Sequence, residues 1–216
     1  MITLHHVPQS RSMRVLWLLG ELEVEFAVAP HAPDRSLRDP AFLSLSPAGR
    51  VPALEIEGER MFGATAIIEY LCEKFPERGL GRAPRDPDRM TWLVWLHFAD
   101  TVTGCVDILR RAYAVGQTQM MRDELARLAL CYDAIEGRLS TPVENRDYLL
   151  TSGFSACDIA VGQAVYMARH FLATDDRPEL TAWYARITGR DSFAAALPAP
   201  DAVRMFSQEF YEVPNG

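Results

Sequence analysis

Leu4-His5-His6-Val7-Pro8-Gln9-Ser10-Arg11-Ser12-Met13-Arg14-Val15-Leu16-Trp17-Leu18-Leu19-Gly20-Glu21-Leu22 reads as a strand, a tight polar turn and a helix within nineteen residues. Before it, Ile2-Thr3-Leu4-His5-His6 alternates and is β-branched early, as a short strand should be. After it, Val15, Leu18, Leu19 and Leu22 recur at helical spacing, so one helical face is apolar. Between the two, Pro8 to Ser12 supply hydroxyls where the first backbone N–H groups of a helix lie unpaired, and such a helix start attracts an anion, a thiolate included. The residues leave two readings open for Ser10 and Ser12. Either serine caps the helix, or a serine hydroxyl donates a hydrogen bond to a bound thiolate.

With 216 residues, 49% of them apolar, and a net charge of −7, the chain can form one large or two small globular domains. Its mild acidity argues against nucleic acid or an anionic membrane as partner. No apolar run in the sequence is expected to reach the roughly 20 residues that span a bilayer, and the first residues read as a strand and not as a signal peptide. Cys72, Cys105, Cys131 and Cys157 are widely spaced in stretches that read as helical. Without a C-x-x-C, neither a dithiol pair nor a zinc site is predicted, and the pattern fits buried free thiols in a reducing cytoplasm.

Phe26-Ala27-Val28 offers a second strand, making the opening β-α-β. Pro30 to Leu45 is polar and turn-rich, with room for one short irregular helix. Ser46-Pro47-Ala48-Gly49-Arg50-Val51-Pro52-Ala53-Leu54-Glu55-Ile56 is a turn followed by a strand that starts at a proline, and Gly58 turns it back into Arg60-Met61-Phe62. A proline opening an inner strand removes a ladder donor. A cis Val51–Pro52 bond would make it useful by turning the Val51 backbone outward to a peptide-like ligand, and the residues alone leave cis and trans open. A helix is predicted from about Ala64 to Phe75, and the Pro/Gly/Arg-rich Glu77 to Pro87 reads as a linker.

Past the linker only helical signals follow. One helix runs through Trp92, Trp95, Leu96 and Ala99 to about Tyr113, and a second runs through Leu125, Leu128, Ala129 and Tyr132 to about Leu139. A third begins at Ser155 with an S-x-x-D capping box to Asp158 and should be the buried centre, extending to about Leu172. Leu180, Trp183, Tyr184 and Ile187 mark a fourth, and a last short helix with an aromatic tail is expected after Pro198 and Pro200.

Together these stretches resemble the glutathione transferases, of the serine type found in bacteria and fungi, over essentially the whole chain. The likeness rests on His5 to Leu19, Ser46 to Leu54, Ala66-Ile67-Ile68-Glu69-Tyr70-Leu71 and Phe154-Ser155-Ala156-Cys157-Asp158-Ile159, in that order. It implies an α/β thioredoxin-like N-terminal domain (1–76), a linker (77–87) and an all-α C-terminal domain (88–216). It also implies a cytoplasmic homodimer that uses glutathione as co-substrate, with no metal, to conjugate or reduce a small hydrophobic electrophile in a detoxification role; peroxidase and lyase chemistry belong to the same range.

Residue by residue, the resemblance makes Ser10, with Ser12 as second candidate, the thiol-activating serine. Val51 and Pro52 match the cis-proline segment whose backbone pairs with the cysteinyl part of glutathione, and Arg50 matches a basic position for the glycyl carboxylate. His6, Val7, Trp95, Asp100 and Thr103, with Phe98 and Val102 beside them, face the electrophile in such an arrangement. Aromatics at helical spacing equally suit a core, and His6 equally suits a hydrogen-bonded strand histidine.

The chain departs from the family where a Glu-Ser pair usually holds the γ-glutamyl group: it has Gly63-Ala64. The Ala64 N–H and the Thr65 hydroxyl remain. At about 1.5–3 kcal/mol for a hydrogen bond to a charged group, loss of the pair weakens glutathione by roughly two to three powers of ten. Three functions therefore compete: a glutathione transferase, a binding or regulatory module on the same fold, and an enzyme that takes another ligand in the reshaped pocket.

Overall fold

The computed structural model describes residues 1–141 and 147–213. The chain divides into two compact units, residues 1–83 with 189–207, and residues 84–188 with 208–216.

The first unit is built on four strands, β1 (Ile2–His6), β2 (Phe26–Pro30), β3 (Ala53–Ile56) and β4 (Glu59–Phe62), in the order β2-β1-β3-β4. β1 runs parallel to β2 and antiparallel to β3, and β3 is antiparallel to β4. As an inner strand β1 buries Ile2, Leu4, His5 and His6. β2 lies at an edge, where Pro30 can end a strand without leaving a ladder bond unmade. Helix α1 (Ser12–Leu22) packs its buried face of Val15, Leu18, Leu19 and Leu22 on β1 and on α3 (Ala64–Lys74). The polar stretch after β2 holds two short pieces where one was expected, a 3-10 turn (Arg35–Arg38) and α2 (Pro40–Leu43). Pro40 at the start of α2 is what separates them.

Two features of this unit differ from the sequence reading. β3 begins at Ala53, because Pro52 sits in a cis bond with Val51 and ends the turn instead of opening the ladder. The last short helix, α8 (Asp191–Ala196), precedes Pro198 instead of following Pro200, and residues 189–207 belong to the first unit although the sequence reading placed 88–216 together. The reason is long-range. Arg190 grips Glu21 with two bonds of 2.6 Å, and Ser192 also donates to that carboxylate. Trp17 donates to Ser192 (3.2 Å) and meets Phe193 edge-on at 4.9 Å. Glycine at position 20 lets the helices approach: a Cβ there would lie 3.3 Å from that of Ser192. No run of α8 itself announces a partner 171 residues upstream.

The second unit is helical: α4 (Arg89–Ala114), α5 (Thr118–Ser140), α6 (Ala156–Ala168) and α7 (Pro178–Thr188). α6 is central, packed on α4 and α7, with only Tyr166 of its residues less than buried; it ends at Ala168, four residues before the expected stop. α4 corrects the expectation about apolar runs, since by length and composition alone it could cross a membrane. Its Trp92, Leu96, Ala99, Val102, Val106 and Leu109 are buried and it packs on α5 and α6, which is how a core helix uses such residues. All four cysteines are buried free thiols on helices.

Candidate functional site

Three motifs meet at one end of the first unit's sheet. Register pairs His5 with Ala53 and Ala53 with Phe62. Continuing the antiparallel ladder by one residue sets Pro52 beside His6, where β1 runs into the first turn. On the far side of β3, Phe62 leads directly into Gly63 and the start of α3. The turn 7–11, the cis Val51–Pro52 bond and the α3 N-terminus therefore share one edge.

The turn is organised by hydroxyls. Gln9 adopts a left-handed backbone (φ 62°), rare for a residue with a side chain, and its Oε1 accepts from the Phe206 N–H at 2.9 Å. That bond ties the segment after α8 to the first turn. The Ser10 hydroxyl accepts from the Ser12 N–H (3.2 Å), so it satisfies one of the otherwise open amides at the start of α1. Arg11 holds the position just before the helix and caps nothing with its side chain. Ser12 Oγ lies 2.7 Å from Ser10 Oγ and 2.8 Å from His6 Nδ1. It also accepts from the Val7 N–H (3.1 Å) and lies 3.2 Å from the Val7 carbonyl.

Both serines are buried, Ser10 at 3% exposure and Ser12 at 0%. The His6 imidazole is buried with them, and burial alone pulls its pKa down to about 4, so the ring is neutral at physiological pH. The Val7 side chain is wholly buried, with its backbone engaged by Ser10 and Ser12. Pro52 is buried, Val51 half-buried and Arg50 exposed. Gly63 (φ 90°) precedes α3 and offers no side-chain cap, while Ala64 and Thr65 behind it are both buried.

Trp95, Asp100 and Thr103 belong to α4, in the second unit. Trp95 is half-buried and meets Phe98 edge-on at 5.2 Å. Thr103, with Val102 beside it, is buried and returns its hydroxyl to the Ala99 carbonyl one turn back (3.0 Å).

A second polar chain in the first unit had no sequence signal. His5 Nδ1 lies 2.9 Å from His31 Nε2 and His5 Nε2 lies 3.1 Å from Glu55 Oε1. Burial and the His5 ring both lower the His31 pKa. These residues stand 26 and 50 positions from His5, and only the sheet pairing brings them together. Among the described residues, no group of three or more His, Cys, Asp or Glu side chains is arranged to hold a metal ion.

The comparisons with known proteins bear on the family and the fold. Residues 4–79 match the family described as glutathione S-transferase, N-terminal domain, and residues 98–191 match glutathione S-transferase, C-terminal domain. The chain is 25% identical to glutathione S-transferase 1 of Saccharomyces cerevisiae over 90% of its own length and 93% of that protein's. Among solved structures, a glutathione S-transferase from Xylella fastidiosa superposes with a TM-score of 0.80 at 21% identity, covering 91% of this chain and 97% of that one. A sphingomonad glutathione S-transferase complexed with glutathione does so with a TM-score of 0.69 at 25% identity, over 90% and 96%.

Proposed function

Because the chain belongs to the glutathione S-transferase family, we propose that it is a glutathione-dependent transferase in which Ser10 donates a hydrogen bond to the glutathione sulfur. The placement of Ser10 carries this reading: its hydroxyl stands at the start of an eleven-residue helix, at the sheet edge shared with the cis Val51–Pro52 bond. There the helix end and a preorganised donor both favour a thiolate. Ser12, wholly buried with its hydroxyl surrounded by Val7, His6 and Ser10, holds Ser10 in place. In the same reading the Val51 backbone pairs with the cysteinyl part and Arg50 meets the glycyl carboxylate. The Ala64 N–H and Thr65 receive the γ-glutamyl end. Val7 and Thr103, both wholly buried, serve packing and not an electrophile, and the working form in this reading is a cytoplasmic homodimer that takes a small hydrophobic electrophile.

Gly63 and Ala64 support a second reading, in which the scaffold binds another ligand or a protein partner. Gly63 brings neither carboxylate nor hydroxyl to the start of α3, and its φ of 90° disfavours any side chain there.

Calorimetric titration with reduced glutathione separates the two. A dissociation constant tighter than about 1 mM, or about −4 kcal/mol, is expected, weakened about tenfold in Ser10→Ala. No heat and no thermal stabilisation at several times that concentration would reject glutathione chemistry.

A further inference from the structure

The bonds around Ser12 can be counted. Its hydroxyl has one hydrogen and two acceptor positions, and its partners are the Val7 N–H and carbonyl, His6 Nδ1 and Ser10 Oγ. The Val7 N–H fills one acceptor position. One hydrogen and one acceptor position remain for the two shortest contacts, 2.8 Å to His6 and 2.7 Å to Ser10. Only two directions satisfy both. In the first, Ser10 donates to Ser12 and Ser12 donates to His6 Nδ1, the ring carrying its hydrogen on Nε2. In the second, His6 Nδ1–H donates to Ser12 and Ser12 donates to Ser10, which now accepts from Ser12 instead of donating to it.

We propose that the His6–Ser12–Ser10 chain reverses from the first direction to the second when a thiol ionises at Ser10, making His6 the positioning residue that arms Ser10 as a donor. The inference rests on the thiol ligand proposed above. Ser10 Oγ takes the proton from sulfur while passing its own to Ser12, Ser12 passes its own to His6 Nδ1, and Nε2 releases its proton to water. One S–H bond is broken, one proton reaches solvent, nothing is oxidised, and the Ser10 hydrogen now faces the thiolate. Nε2 suits the exit, since Nδ1 is the ring nitrogen with a partner among the described residues and the histidine keeps 6% of its surface exposed. The ring is neutral before and after, in keeping with its low pKa, which no neighbouring charge contributes to.

Two measurements test this. The ultraviolet absorbance of the thiolate, followed against pH, gives the pKa of bound glutathione. His6→Leu should raise it by about one to two pH units with glutathione affinity at low pH within about threefold of the parent. His6→Asn, whose amide nitrogen can donate from the Nδ1 position, should restore it. Nitrogen-15 NMR of histidine-labelled parent protein should show His6 moving from the Nε2–H to the Nδ1–H form on adding glutathione, but not S-methylglutathione. An unchanged pKa in His6→Leu, or one tautomer throughout, overturns the reversal while leaving glutathione binding intact. A parent protein that binds no glutathione overturns the proposed function and the reversal with it.

Discussion

The starts of α1 and α6 both carry a serine, and they are closed by opposite means. At α6 the carboxylate of Asp158 accepts from the Leu149 N–H (3.0 Å), the Trp183 indole (2.9 Å), the Ser155 N–H (2.9 Å) and the Ser155 hydroxyl (3.3 Å), all buried. The Ser155 hydroxyl in turn accepts from the Cys157 N–H (3.3 Å). A carboxylate only accepts, so every bond around it has one direction. At α1 the partners are two hydroxyls and an imidazole, each able to give or take. The first arrangement locks a helix into the centre of its unit, and the second leaves a proton position that a ligand can reset.

The strongest way to break this comparison is Asp158→Ala. It leaves four buried donors without their acceptor and should cost about 4 kcal/mol or more, read as a lowered urea midpoint by circular dichroism. A loss under about 1 kcal/mol would mean that the carboxylate does not hold α6.

Acid should then separate the two helix starts by sign. The unfolded His6 ring protonates near 6.5 and the folded one at about 4. Between those values the unfolded chain binds more protons, and stability from His6 is lost as pH falls. Burial pushes the Asp158 carboxyl up to about 6 from its ordinary 3.8. Here the folded chain binds more protons, and stability is gained as pH falls from about 6 to 3.8. At about 1.4 kcal/mol per pH unit, each interval is worth about 3 kcal/mol, so the two nearly cancel in the parent. Unfolding free energies measured at pH 7 and pH 4.5 should therefore fall further for Asp158→Asn than for the parent, and less for His6→Asn. Equal slopes in all three proteins would remove the contrast.

The smallest effect sharpens the comparison at a third helix start. Glycine leaves α3 without the hydroxyl that the other two possess. Ala64→Ser supplies one, and calorimetry should show glutathione binding about tenfold tighter. Unchanged affinity would place the γ-glutamyl carboxylate elsewhere.

The capping box at α6 was legible because Ser155 and Asp158 stand three residues apart, inside one helical turn. The same locality made β1, the first turn and α1 readable, and it reduced the thiol candidates to Ser10 and Ser12. The residues alone did not rank those two and the resemblance put Ser10 first; what the sequence could not give is the bond between Ser12 and His6, across a turn whose shape depends on a left-handed Gln9. The grip of Arg190 on Glu21 was invisible for a simpler reason. An arginine and a glutamate 169 residues apart look like ordinary surface charges until packing joins them.

What the sequence determined by itself was whatever short-range periodicity and spacing encode: a mixed α/β unit ahead of helices, a hydroxyl-rich turn at a helix start and a capping box; the family resemblance added the carboxylate missing at Gly63-Ala64. Only the tertiary structure decided the cis state of Val51–Pro52, the return of residues 189–207 to the first unit, and the chain from His6 through Ser12 to Ser10. Each of these depends on groups distant in sequence, or on a backbone angle that the surrounding packing holds. Neither leaves a mark in local composition.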